Sequence, residues 1–198
     1  MYSGVSRYCS AVPYGIRVRW YAARAARAPS HLQTFLAQST DKDQLSTTFR
    51  GKMFELQTLE ALSDIGMELQ HVGGRSDGGV DLRGIWPLER VKPNVIVQCK
   101  NTKMGCTPDH LRSLIGAMAE HRNNAIGVLA TVHHRHFTRD VISLFTSSGT
   151  PLALARIENT QLESFVFNDA AEQLLQQLVI TKRFDAYGNS KTVVMFPK

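Results

Sequence analysis

The sequence predicts an α/β domain whose mixed sheet is flanked by helices, and three observations predict it. The elements run helix, three strands, helix, strand, helix, strand and a terminal helix. Connections among the first three strands are too short for crossover helices, so those strands should form an antiparallel meander. Ala125 to Val132 is a continuous apolar run, as expected of a central strand covered on both faces.

The first helix is expected from about Asp43 to Gly66. Leu45, Phe49, Met53, Leu56, Leu59 and Leu62 fall on one broad face, Asp43 or the Ser46-Thr47-Thr48 cluster supplies the cap, and Gly66 the stop. Met67 to Val72 and Val80 to Trp86 read as short strands joined by a glycine-rich turn, and Asn94 to Asn101 as a third strand. Thr107-Pro108-Asp109 starts a helix with proline at its first position, and Leu111, Leu114, Ile115 and Met118 form its buried stripe. After the central strand come a helix over Phe137 to Ser148, a strand over Leu152 to Ile157, a helix over Asn168 to Val179 capped by Asn168 or Asp169, and an edge strand over Thr192 to Phe196.

The 198 residues, 43% hydrophobic and 20% charged, suffice for one sizeable core. No apolar run reaches the ~18 residues of a membrane span. The net charge of +6 is unevenly distributed. Residues 1–40 hold five arginines (Arg7, Arg17, Arg19, Arg24, Arg27) and no acid, so without them the excess is only +1. That composition reads as a mitochondrial transit peptide and linker over 1–40, with the domain over 41–198 and a matrix location. Arg19-Trp20-Tyr21-Ala22 resembles a matrix-processing site and places the cut near Tyr21; the competing reading is a basic nucleic-acid-binding arm. Cys9, Cys99 and Cys106 contain no CxxC pair, which speaks against a disulfide framework or a zinc site.

The chemistry is concentrated between Gly73 and Lys100. Side-chain alternation puts Val80 and Leu82 on one face with Asp81 and Arg83 on the other, and Val95, Val97 and Cys99 in the core with Gln98 and Lys100 opposite. Neighbouring strands can then present Asp81, Gln98 and Lys100 at one place. Phosphodiester hydrolysis calls for a hard cation with oxygen ligands. Asp81 is the charged candidate, the Gln98 amide and the Cys99 backbone carbonyl the neutral ones, and Lys100 is suited to orient water or stabilise developing charge. On the first helix both Glu55 and Glu60 flank the packed face, and the helix by itself does not choose between them.

Gly73, Gly74 and Gly79 would let backbone amides approach a phosphate, although turn glycines often only make the turn. Arg75, Arg83, Lys103, Arg112, Arg135 and Arg139 are candidate phosphate contacts. Asp77 reads as a turn residue, His133, His134 and His136 as an exposed loop, and Trp86 as core.

The pattern Phe49-Arg50-Gly51 to Glu55, then Gly73-Gly74 to Asp77, Gly79-Val80-Asp81-Leu82, and Val97-Gln98-Cys99-Lys100, resembles the restriction-endonuclease-like PD-(D/E)xK superfamily over roughly residues 45 to 160. It is most similar to the Mrr-type branch, in which glutamine replaces the acid of the last motif. The resemblance implies a restriction-endonuclease-like α-β-β-β-α-β core, selects Glu55 over Glu60 as the helix carboxylate, and implies Mg²⁺ or Mn²⁺ and DNA. With the leader, the chain is also similar to a fungal mitochondrial family named for its requirement in respiratory growth. Two further activities fit the same motifs. One is a dimeric Holliday-junction-type resolvase; the other is a non-catalytic nucleic-acid-binding or organising protein on a nuclease fold.

Overall fold

The computed structural model describes residues 31–39, 46–72, 79–102, 104–121, 124–132, 137–188 and 190–196. Helices α1 (His31–Ala37) and α2 (Thr47–Asp64) precede strands β1 (Glu68–His71), β2 (Leu82–Ile85) and β3 (Asn94–Lys100). Then come α3 (Pro108–Met118), β4 (Ala125–Val132), α4 (Arg139–Ser147), β5 (Leu152–Glu158), β6 (Gln161–Phe167), α5 (Asp169–Leu174), β7 (Val179–Phe184) and β8 (Ser190–Met195).

Strands β1 to β6 form one mixed sheet in sequence order. β1, β2 and β3 pair antiparallel, β3, β4 and β5 parallel, and β5 and β6 antiparallel. The expected meander and central strand are both present, and seven of the eight β4 residues are buried. Two apolar clusters cover the two faces. One joins α2 residues Phe54, Leu59 and Leu62 to Leu82, Val95, Val97 and Trp86. The other joins α3 residues Leu111, Leu114 and Met118 to Val80, Ile96, Leu129 and Leu154.

Ser46, not Asp43, caps α2: its side chain accepts from the Phe49 amide at 3.0 Å. Trp86 ties the end of that helix to the meander by donating its indole N–H to the Ile65 carbonyl at 3.0 Å. Gly84 is required where β1 crosses β2, because a Cβ there would lie 1.9 Å from the Glu68 carbonyl oxygen. The α1 helix, in the stretch read as leader and linker, packs on α2 through a stack of Phe35 on Phe49 with centroids 4.9 Å apart.

The C-terminal part departs from expectation. The helix expected to reach Val179 ends at Leu174, because Gln176 and Gln177 adopt φ of 53° and 62°, which a helix cannot continue through. Val179 instead opens β7. Strand β6 was not expected at all, and β8 is not an edge of the main sheet but pairs with β7 in a separate hairpin. The helix expected from Phe137 starts at Arg139, since Thr138 is extended and caps it by accepting from the Val141 amide.

Asn168 joins these elements. Only 2% exposed, it accepts from Leu152 N and Ala171 N through Oδ1, and its Nδ2 lies within hydrogen-bond distance of the carbonyls of Phe145, Ser148 and Thr150. Replacing Asn168 by alanine removes a cap and leaves buried backbone groups without partners, a loss of about 3 kcal/mol. In urea unfolding, Asn168→Asp should be at least as destabilising as Asn168→Ala, because it turns an oxygen toward three carbonyls.

Candidate active site

The site forms where β2 leaves β3. Leu82 is the register partner of Val97, yet the Asp81 N–H also donates to the Val97 carbonyl, at 2.9 Å. Two residues facing one is the arrangement of a β-bulge, which bends a strand and re-aims its side chains. The bulge corrects the simple alternation: Val80 joins the α3-side cluster while Leu82 stays in the α2-side cluster, so the two do not share a face.

Beyond the bulge the next inward-facing amide of β3 is that of Cys99, and the Asp81 carboxylate takes it, with Oδ2 2.6 Å from the nitrogen. The carboxylate thus occupies the position that β2 has vacated. A strand residue directs its N–H and C=O toward the same neighbour. The Cys99 carbonyl is therefore turned to the Asp81 side of the sheet.

Gln98 and Lys100 alternate onto the α3 side, with Ile96. The Gln98 amide lies against Gly79, whose φ is +81° and where a Cβ would come within 2.6 Å of Nε2 and 3.4 Å of Ser113 Oγ. Glycine at 79 both makes the turn and admits the amide. Gln98 is only 3% exposed, and its Oε1 has no hydrogen-bond partner among the described residues. A buried oxygen left that way costs about 1–3 kcal/mol, so it marks a place where a donor or cation is called for.

Lys100 acts on its surroundings. Burial raises the Cys106 thiol to about 11, opposed by a hydrogen bond with Thr131 and by the Lys100 charge. Burial lowers the His110 pKa, Lys100 lowers it further, and Asp109 opposes. His110 Nδ1 accepts from the Thr107 amide at 3.1 Å, which holds the ring at the start of α3. Cys99 is raised by burial and then by Asp81; Thr58 opposes, Glu55 adds to the rise and Lys100 opposes again.

Glu55 reaches the site from the opposite side. Its Oε2 is 2.5 Å from His71 Nε2 and 3.8 Å from Lys52 Nζ, and Lys52 lies 2.9 Å from His71 Nδ1. Lys52 Nζ also lies 2.5 Å from Nε2, so the ammonium and the Glu55 carboxylate meet at the same ring nitrogen. His71 is the register partner of Leu82, and the Val72 amide next to it donates to the Asp81 carbonyl at 2.9 Å. The cluster is therefore beside Asp81, across the sheet from Gln98 and Lys100.

The structure brings Asp81, Gln98, Cys99 and Lys100 to one end of β3, with Glu55 at the flank. Arg83 lies farther along β2, opposite Ile96. Arg112 pairs with Asp109 at 2.8 Å on the exposed side of α3, and Arg139 opens α4. Gly73, Gly74, Arg75, Asp77, Lys103, His133, His134, Arg135, His136 and most of the leader fall outside the described residues. Lys52, His71 and Ser113, which border the site, were missed. Lys52 carried a signal, three residues before Glu55 on one helix face. His71 and Ser113 carried none.

The model of the restriction endonuclease family, its Mrr catalytic domain, matches residues 46–166. An uncharacterized mitochondrial protein of Schizosaccharomyces pombe is 31% identical over 62% of this chain and 50% of its own length. The mitochondrial "required for respiratory growth protein 7" of Saccharomyces cerevisiae is 26% identical over 57% of this chain and 66% of its own. For the protein of the same name in Kluyveromyces lactis the identity is 27%, over 72% and 78%. The chain thus spans half of the first relative and just under two thirds of the second. No solved structure matches. With bulge, glutamine and lysine in place and the match extending over more than half its length, the chain belongs to the Mrr-type restriction endonuclease family.

Proposed function

We propose that the chain is a divalent-metal-dependent endonuclease acting on DNA in mitochondria. The observation that carries this is the buried Gln98 Oε1 without a partner among the described residues, on an amide whose Nε2 lies against Gly79, one residue before a carbonyl that faces Asp81. All three donors are hard oxygens, suited to Mg²⁺ or Mn²⁺ rather than to zinc or copper. Asp81, Gln98 and the Cys99 carbonyl would hold the ion, with Glu55 joining from α2. Such an ion supplies charge neutralisation at the scissile phosphate and a more acidic water.

The chain's own residues supply the rest. The Cys99 N–H fixes the rotamer of Asp81 before any ligand arrives, so the charge is already oriented. His71 and Lys52 hold Glu55 and moderate its charge. Lys100 places a cation on the side of Gln98, where it can stabilise charge developing on the phosphate oxygens. Mitochondrial placement is supported by the relatives' names and by the arginine-rich, acid-free stretch 1–40, with processing near Tyr21.

One observation favours the non-catalytic reading: among the described residues, no three His, Cys, Asp or Glu side chains converge on a point that could hold a metal. With glutamine at 98, charge at the site is limited to Asp81 and Glu55, and metal affinity should be modest.

Incubation with supercoiled DNA separates the two. An endonuclease nicks in Mg²⁺ and not in EDTA; a binding protein holds DNA equally in both and cleaves in neither. Asp81→Ala and Lys100→Ala should each lower cleavage by about 10²-fold or more, and retained nicking by the Asp81 variant would refute its assignment. Gln98→Glu should lower the Mg²⁺ concentration needed for half-maximal cleavage, since it adds a charged ligand. His71→Ala should raise that concentration several-fold without abolishing cleavage; an unchanged Mg²⁺ dependence would separate Glu55 from the metal.

A further inference from the structure

Past the end of the apolar cluster on the α3 side, three side chains stand in a row. Lys100 of β3 pairs in register with Thr131 of β4, and Thr131 with Arg156 of β5. Thr131 and Arg156 each follow a member of the α3-side cluster, Leu129 and Leu154, by two positions, and Lys100 likewise follows Gln98 and Ile96. Alternation therefore puts all three on one face. Two strand spacings separate Lys100 from Arg156, ~10 Å between Cα atoms. That span suits a step or two along a nucleic-acid backbone. The row lies at the carboxyl ends of the parallel strands, where open α/β sheets place their ligands.

Arg156 is half-buried within a strand whose other inner positions are apolar. Its Nε donates to Ser164 Oγ of β6 at 2.9 Å, and among the described residues no carboxylate pairs with it. A partly desolvated guanidinium without a counter-ion is costly unless a ligand supplies one. Held through Nε, the group presents its two terminal nitrogens as a fork, the geometry that grips a phosphate with two parallel hydrogen bonds.

We infer that Arg156 is a phosphate-binding residue for the DNA strand, holding a backbone phosphate beside the one at Lys100, with Ser164 as its positioning residue. The assignment rests on the DNA reading proposed above but not on cleavage. Thr131 supports the row from within: its hydroxyl donates to the Lys100 carbonyl at 3.0 Å, fixing β3 against β4 at this level.

The test is the salt dependence of binding to a short DNA duplex, measured with the full chain in EDTA and again in Ca²⁺. Each phosphate contact contributes about 0.9 to the slope of log K against log salt. Arg156→Ala and Arg156→Gln should each lower the slope by about that amount and weaken binding several-fold. Arg156→Lys should restore the slope but not the full affinity, because an ammonium cannot form the fork, and Ser164→Ala should weaken binding while leaving the slope unchanged. Wild-type slope and affinity in Arg156→Gln would overturn the inference, as would an Arg156→Lys variant no better than Arg156→Ala. A wild-type protein that binds but never cleaves in Mg²⁺ refutes the endonuclease and leaves Arg156 standing. One that cleaves while Arg156→Gln keeps the full slope refutes Arg156 alone, and one that does not bind DNA refutes both.

Discussion

The hydrogen bond from the Cys99 amide to the Asp81 carboxylate is the contact on which the site depends. It exists because β2 inserts one residue too many opposite Val97 and then departs, leaving a strand amide without its ladder partner. An edge amide in a partly buried place needs an acceptor, and a carboxylate is a stronger one than water. The same bond holds Asp81 at the level of the sheet, next to a carbonyl turned the same way. A structural requirement of the ladder and an electrostatic requirement of the site are met by one side chain.

That bond also organises what lies above and below the sheet. On the α3 side, Gly79 makes room for the Gln98 amide, and Lys100 begins a row that continues through Thr131 to Arg156. On the α2 side, Glu55 is held by His71 and Lys52 instead of projecting freely. Glutamine at 98 avoids a third carboxylate at the site.

Charge is distributed unevenly along the chain. Most of the basic excess is in residues 1–40, and the remainder is nearly neutral. Affinity for a polyanion must then come from a few placed cations, not from a general field. Lys100 and Arg156 lie on one face and one level of the sheet, where the proposed phosphate contacts would draw on them.

How much was legible in the sequence follows from the range of the interactions involved. Periodicity and caps are local, so α2, the meander, α3 and the central strand could all be read directly, as could Asp81, Gln98 and Lys100 as a group. Between Glu55 and Glu60 the helical wheel did not choose; only the family resemblance pointed to Glu55. The terminal helix was misread because two glutamines in the left-handed region, Gln176 and Gln177, carry no local signal for it, and the chain turns there into the β7–β8 hairpin. The bulge at Asp81 was likewise invisible, since alternation assumes a regular ladder, and whether a residue is inserted depends on the partner strand. By itself the sequence determined the class of fold and the antiparallel meander, and it singled out Asp81, Gln98 and Lys100 as neighbours, because those depend on residue type and short-range period. Only the tertiary structure decided that Glu55 has His71 as a partner and that Arg156 stands in one row with Lys100, because the first pair is made by a helix packing on β1 and the second by strands brought together across the sheet.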